Sequence, residues 1–286
     1  MSKFKGKTAI ISGGAEGIGL SVAKALGEQG MNIVLTDINQ QNLENAAKEL
    51  EESGVPVLTA RLDVADEEQW KHIAEKASER FGKLHMVVNN AGVGGDSVSV
   101  ENQEKKGWQW TLDVNLMGVV YGAKTIVPFI KSHDEGGWIV NVASMAGMGG
   151  FLHGGAYNAT KAAVVALSES WYEELSSQNI NVSVLCPAFV KTRIYDSERN
   201  RPEQYKSEIS SSESNNSFLK KTKKMIENGI EVSIVGKRVV EALNNGEFYI
   251  FTHPGYRSEI QDRFKAIDEA FKDSEKSIAL KEVPNQ

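Results

Sequence analysis

The sequence predicts an α/β fold: a doubly wound parallel sheet of about seven strands flanked by helices, with a lid segment and an extra C-terminal helix. Three observations predict it. Short apolar runs alternate with amphipathic ones along most of the 286 residues, and strict strand–helix alternation implies right-handed crossovers and parallel pairing. Several of the short runs, AIIS, NIVL and MVVN, are apolar throughout, as strands covered on both faces are. A glycine cluster, SGGAEGIG, stands where the first strand should turn into the first helix.

In order, the elements begin with strand Thr8–Ser12, helix Ile18–Gln29, strand Asn32–Thr36, helix Gln40–Ser53 and strand Val55–Arg61. Helix Glu67–Phe81, strand Met86–Asn89, helix Leu116–Lys131 and strand Trp138–Val142 follow. Helix Ala156–Ser177 and strands Asn181–Leu185 and Phe248–Phe251 complete the sheet. The rhythm breaks between about residues 193 and 228, where RNRPEQYKSEISSSESNN is polar, serine-rich and weakly periodic. That composition suits a solvated loop or a lid over a site equally well. After the last strand, Tyr256–Lys272 reads as a helix and Ser274–Gln286 as a loose tail. The expected division is a catalytic domain over residues 1–255 and a helix with tail over 256–286.

Composition narrows the function. Hydrophobic residues make up 41% and charged residues 24%, and the formal charge is −6. With no basic stripe to neutralise phosphates, a nucleic-acid partner is not expected. No run approaches the ~20 apolar residues of a membrane span, nor does the N-terminus carry the apolar core of a signal peptide. The single cysteine, Cys186, cannot form an intrachain disulfide, and the five histidines lack ligand spacing, so no metal is expected. The compartment expected is the cytoplasm.

Gly13, Gly17 and Gly19 are spaced G-x-x-x-G-x-G between strand and helix. Such a turn lets backbone approach a pyrophosphate, with the helix N-terminus offering free N–H groups to it. The predicted architecture is therefore Rossmann-type. Asp37 closes the second strand, under the adenosine ribose of a bound dinucleotide. A carboxylate there accepts hydrogen bonds from the ribose hydroxyls and repels a 2′-phosphate; its other reading, capping the next helix, is open equally to Asn39. Glu16 adds negative charge with no basic residue nearby in sequence. Both acids favour NAD over NADP as the cofactor.

In SMAGMGGFLHGGAYNATK, Ser144–Lys161, a tyrosine and a lysine stand four residues apart. On a helix starting near Gly155, Tyr157 and Lys161 share one face. An ammonium ~4–5 Å from the phenol, at an effective dielectric of ~20, favours the phenolate by roughly 3–4 kcal/mol before desolvation opposes it. Tyr157 would then serve as general base in alcohol oxidation and acid in carbonyl reduction, with Ser144 holding the substrate oxygen.

The motifs SGGAEGIG, LDV at Leu62–Val64, NNAG at Asn89–Gly92, DVNLMG around Asn115, NVAS ending in Ser144, YNATK and PAFVKT at Pro187–Thr192 occur in that order. In this series the chain resembles the short-chain dehydrogenase/reductase family, in its NAD-preferring alcohol dehydrogenase/ketoreductase type, over about residues 5–253. The resemblance implies that Ser12, Gly13, Gly17, Ile18 and Gly19 cradle the cofactor, with Ser12 where threonine is common. It implies that Asp63 and Val64 contact the adenine, that Asn89, Ala91 and Gly92 floor the site, and that Pro187, Val190 and Thr192 face the nicotinamide. Lys161 would bind the nicotinamide ribose, and Asn115 would hold a water linking Lys161 to solvent. Asn89 and Asn115 are also ordinary backbone caps, and Thr192 an ordinary loop hydroxyl. Ala188 replaces the usual glycine, placing a methyl near the nicotinamide.

Val93, Met145, Phe151, His153 and Phe189, with Gly94 and the 193–228 segment, are the candidates for the substrate wall, unless they are core. They suit a bulky hydrophobic or aryl secondary alcohol or its ketone, and the termini and lid resemble bacterial members acting on aryl side-chain alcohols or steroids. The reading is an NAD-dependent alcohol dehydrogenase/ketoreductase. Its alternatives are a same-fold dehydratase, epimerase or double-bond reductase, or a non-catalytic NAD-binding subunit. The helices around Leu116–Lys131 and Ala156–Ser177 form the family's dimer face, so a homodimer or homotetramer is expected.

Overall fold

The computed structural model describes residues 2–206 and 213–280. Seven parallel strands form one sheet in the order β3-β2-β1-β4-β5-β6-β7. They are β1 Thr8–Ser12, β2 Asn32–Asp37, β3 Val57–Arg61, β4 Met86–Asn89, β5 Gly137–Val142, β6 Ile180–Cys186 and β7 Tyr249–Phe251. The order reverses beside β1, which pairs with β2 on one side and β4 on the other. In open α/β sheets that switch point opens a crevice at the carboxyl ends of the strands, where ligands bind.

Alternation along each strand supplies two cores. Ala9 and Ile11 of β1 face a cluster with Val22 and Leu26 of α1 (Gly17–Glu28), Leu43 of α2 (Gln40–Glu52) and Val239 of the helix Val232–Asn245. Ile10 faces the opposite cluster, with Trp70 and Ile73 of α3 (Glu67–Phe81) and Ile126 further along the chain. Both faces of the sheet are covered, which accounts for the continuous apolar strands.

Several elements differ from expectation. β3 begins at Val57 rather than Val55, because Pro56 has no N–H for the ladder and contributes only its carbonyl, to Ile33. The helix expected from Leu116 instead starts eleven residues earlier. It runs continuously through α4 (Lys105–Leu112), a π-helical turn (Asp113–Met117) and α5 (Gly118–Lys131). Next come α6 (Gly155–Leu175), α7 (Glu213–Glu227) and α8, the helix Val232–Asn245. Within the 193–228 segment the structure shows short 3₁₀ turns from Ile194 to Tyr205 and then α7; residues 207–212 of that segment lie outside the described ones.

Internal contacts divide the chain after Thr252. The second unit, from His253, contains α9 (Arg257–Glu275), and the last six residues of the tail lie outside the described ones. Among the described residues no helix is long and apolar enough to cross a membrane, and no group of three or more His, Cys, Asp or Glu is arranged to hold a metal ion.

Candidate active site

The site gathers at the carboxyl ends of β1, β2, β4, β5 and β6. At β1 the turn into α1 is shaped by what a side chain would strike. Gly13 has φ +59°, and a Cβ on it would lie 2.9 Å from Ala91 Cα; one on Gly19 would lie 2.2 Å from the Gly13 carbonyl oxygen. Asn90 rivets the turn, donating from Nδ2 to the carbonyls of Ser12 and Gly13, both at 2.9 Å. Ser12 Oγ accepts from the N–H groups of Asn90 (3.0 Å) and Ala91 (3.2 Å), so the hydroxyl at this position does the work threonine would. At the start of α1, Glu16 makes no side-chain capping bond, leaving the first N–H groups, from Gly17 through Gly19, without a side-chain acceptor. A glycine cradle with open helix N–H groups fits a pyrophosphate.

Asp37 ends β2 with its carboxylate accepting from Ala15 N (3.3 Å) and Asn39 N (3.0 Å), while Asn39 caps α2 through Asn42 N (3.0 Å). The capping alternative thus falls to Asn39. Burial raises the Asp37 pKa, partly offset by those N–H bonds and reinforced by Glu16. Glu16 differs from expectation: Arg199 Nη2 pairs with one of its oxygens, and Arg193 Nη1 lies 3.9 Å from the other. The compensating charges come from about 180 residues downstream, where local sequence could not show them.

After β3, Ala65 N donates to Asp63 Oδ1 (3.1 Å), and the carbonyl of buried Val64 accepts from Trp70 Nε1 (3.2 Å). Asn89, at the end of β4, is buried to 1% exposure and donates to Asn141 Oδ1 at 2.9 Å; its side chain belongs to the packing between sheet and helices. The next residue, Asn90, faces the turn. Ile18 packs partly buried against the core, while Ala91 and Gly92 carry the chain past the crevice.

The residues expected to handle the proton converge from three elements. Ser144 follows β5, Tyr157 and Lys161 lie on α6, and Asn115 sits in the π turn, an insertion that redirects one residue without breaking the helix. Asn115 is wholly buried: Oδ1 accepts from Val93 N (2.8 Å), and Nδ2 donates to Val93 O (2.9 Å) and Thr160 Oγ1 (3.3 Å). Both amide protons are used, so its side chain has only acceptor capacity left for a water. Lys161 Nζ donates to Val142 O at 2.8 Å, and burial pulls its pKa down to about 8. A Cβ on Gly92 would meet both Asn115 Oδ1 (3.3 Å) and Lys161 Nζ (3.5 Å), so Gly92 marks where the two side chains approach.

Tyr157 is half-buried, and its phenol lies near the Ser144 hydroxyl. Burial raises its pKa above 10.0, and the Ser144 hydroxyl pulls the other way. In the free protein the desolvation that opposes the Lys161 effect is the larger influence on the phenol. Nζ lies 5.8 Å from the tyrosine ring centroid, and desolvation outweighs it. Ser144 Oγ also accepts from Ala146 N (3.1 Å), and the Pro187 carbonyl, which accepts from Met145 N at 2.9 Å, joins the β5 and β6 loops. Val190 is buried and bridges to Ile230, while the Thr192 methyl would lie 3.4 Å from a Cβ on Gly17.

Of the substrate-wall candidates, Val93 and Met145 are buried, Phe189 is half-buried and Phe151 is 50% exposed. His153 has φ +60°, and its ring stands edge-on to Phe218 of α7 at 5.3 Å. Within residues 193–206, Ser197 and Arg201 are buried and anchor the segment, while its other residues are half-buried or exposed. Ser197 Oγ accepts from Gly94 N (3.0 Å), and Tyr205 donates to Asp113 at 2.8 Å. Arg201, with 3% of its side chain exposed, pairs with Asp96 (2.5 Å) and stacks over Trp110 (4.2 Å). Sequence reasoning missed Asn90, Thr160, Arg199 and Arg201; of these Asn90 and Thr160 lay within motifs already singled out, NNAG and YNATK.

A family model for short chain dehydrogenases matches residues 7–203. The chain belongs to that family. It is 32% identical over 272 residues, 93% of this chain and 95% of the relative, to a CLA biosynthesis dehydrogenase/reductase of Lactiplantibacillus plantarum. It is 30% identical to a C alpha-dehydrogenase of Sphingobium sp., covering 93% of this chain and 87% of the relative. A short chain dehydrogenase/reductase from Burkholderia phymatum, solved in complex with NAD, superposes with a TM-score of 0.91 at 34% identity, over 94% of this chain and 97% of that one. This short-chain dehydrogenase thus shares fold and length with oxidoreductases of the alcohol dehydrogenase/reductase kind.

Proposed function

We propose that the protein is an NAD-dependent dehydrogenase/ketoreductase acting on a bulky hydrophobic or aryl secondary alcohol and its ketone. The observation that carries this reading is that Tyr157 and buried Lys161 stand one turn apart on α6, with Ser144 at the end of β5 close enough to influence the phenol. NAD, held by the glycine turn and Asp37, supplies the hydride acceptor. Ser144 holds the substrate oxygen against the phenol, and Tyr157 takes the hydroxyl proton in oxidation or returns it in reduction. Lys161 stabilises the phenolate and reaches the ribose hydroxyls, while Asn115 fixes the Val93 backbone and offers its remaining acceptor to a water on the way to solvent. Val93, Met145, Phe151, His153 and Phe189 give the pocket its apolar, partly aromatic character.

Asp37 supports NAD over NADP, because a carboxylate at the end of β2 beside the glycine turn would repel a 2′-phosphate. The names of the two curated relatives, both dehydrogenases, support the reaction class, and the NAD complex of the Burkholderia protein supports the cofactor. The same reading takes the protein as a cytoplasmic homodimer or homotetramer pairing through α5 and α6; a monomer by light scattering at micromolar concentration contradicts it. The central test is Tyr157→Phe. Turnover on a panel of aryl and alicyclic ketones should fall at least about a hundredfold with NADH binding retained. Near-normal turnover refutes the assignment.

A further inference from the structure

The glycine turn carries no cation of its own: from Ser12 to Ser21 it reads SGGAEGIGLS, with Glu16 its single charge. Cations reach it from the segment after β6. The Arg199 guanidinium donates from Nη1 to the carbonyls of Arg193 (3.0 Å) and Asp196 (2.7 Å), which fixes its plane, and it presents Nη2 to Glu16. Arg193 adds a second positive charge, shared between Asp196 (2.6 Å) and Glu16 (3.9 Å). Thr192 rests against Gly17, so this segment lies across the first residue of α1, where the N–H groups are open. Glu16 is the residue immediately before that helix.

A pyrophosphate brings two negative charges to a turn that already faces Glu16 and Asp37, and helix N–H groups alone offset only part of that repulsion. A guanidinium held by two carbonyls loses little freedom in meeting an anion, and its planar fork suits a phosphate as well as a carboxylate. We propose that Arg199 is an anion ligand of the cofactor site. In the free protein Glu16 occupies its outer nitrogen; on cofactor binding, a pyrophosphate oxygen takes the place of that carboxylate. The inference rests on the dinucleotide reading above and adds a residue that comes from neither the glycine turn nor the sheet. The segment bearing Arg199 also carries Ser197 on Gly94 and Arg201 on Asp96, so a pyrophosphate on Arg199 would bear on the same segment that borders the substrate side.

The test compares the full-length protein with Arg199→Gln and Glu16→Gln by calorimetric titration with NADH, ADP-ribose and adenosine. Arg199→Gln should weaken NADH and ADP-ribose by about tenfold and leave adenosine, which has no phosphate, unchanged. Glu16→Gln removes the competing carboxylate and should tighten both phosphate-bearing ligands by about threefold. If Arg199→Gln stays within about twofold of the parent for ADP-ribose, the proposal is wrong. It is equally wrong if Glu16→Gln weakens binding as much as Arg199→Gln does, since the pair would then be only a strut holding the segment. Unchanged adenosine affinity reports an intact fold in each variant. Failure of the parent protein to bind NADH at all would remove the dinucleotide reading itself, a result distinct from either of these.

Discussion

Lys161→Met should make the protein more stable at neutral pH while removing its activity. Lys161 is 4% exposed, and burial lowers its pKa from 10.5 to about 8. The fold therefore holds the ammonium at a cost at every pH below about 8. A depression of that size corresponds to about 3 kcal/mol. Methionine has a similar length and no charge to desolvate, but it forfeits the 2.8 Å bond to the Val142 carbonyl. That loss offsets about 1–1.5 kcal/mol. The net gain is then about 2 kcal/mol, or roughly 4–8 °C in Tm for a chain of this size.

The pH dependence makes the reasoning specific. A depressed lysine pKa means the unfolded chain binds more protons than the folded one between about pH 8 and 10.5, so wild-type stability gains with pH across that window. The advantage of Lys161→Met should be full at pH 7, shrink above pH 8 and reach its minimum near pH 10.5. Urea unfolding at pH 7, 9 and 10.5, read by tryptophan fluorescence, measures it. A variant less stable than the parent at pH 7, or a difference that does not change with pH, refutes the account of a desolvated ammonium.

Two further outcomes follow from other parts of the molecule. Asp37→Ser keeps an acceptor for the neighbouring N–H groups but removes the charge facing a 2′-phosphate. The ratio of kcat/KM for NADP to that for NAD should rise about tenfold or more, and an unchanged ratio places the discrimination elsewhere. At the other end of the sheet, buried His85 accepts from Thr8 N through Nδ1 (3.1 Å), so its proton sits on Nε2, facing Glu135 at 3.0 Å. Burial lowers its pKa below 6.5, opposed by Glu135 and aided by Lys7 and His133. The unfolded chain thus takes up this proton first as pH falls, and stability is lost from about pH 6.5 downward through the folded-state pKa. His85→Asn should lose less stability between pH 7 and pH 5 than the parent; an equal loss assigns the acid sensitivity to other groups.

Much of this was legible in the sequence because the signals were local. Continuous apolar strands, a glycine turn at the first strand–helix junction and a tyrosine–lysine pair one helical turn apart depend on neighbours a few residues away. Asn115 was different: nothing in its surroundings announces a π turn, which is a bonding offset inside a continuous helix, and only the resemblance pointed to it. Asn89 and Asn90 show the limit more sharply. They are identical in type and adjacent, yet the pleat sends them to opposite sides. Asn89 meets Asn141, its register partner on β5, while Asn90 meets the glycine turn, and choosing between them needs the sheet.

The 193–206 segment was illegible for a stronger reason. Serines, arginines and acids in a weakly periodic run look the same whether water or protein satisfies them. Here protein does, at Glu16, Gly94, Asp96 and Asp113, which belong to three separate stretches of chain. Buried Arg201 shows that the docking is specific, because a guanidinium removed from water is tolerable only with the carboxylate of Asp96 and the ring of Trp110 in place. On the proposed reading, the groups that move the proton sit on the sheet ends and on α6, whose positions the core dictates. On the same reading, the segment bordering the substrate side is a polar strap whose position depends on a few ion pairs. A change of substrate in this protein should thus be reached by altering the strap and its carboxylate partners, with Tyr157 and Lys161 left as they are.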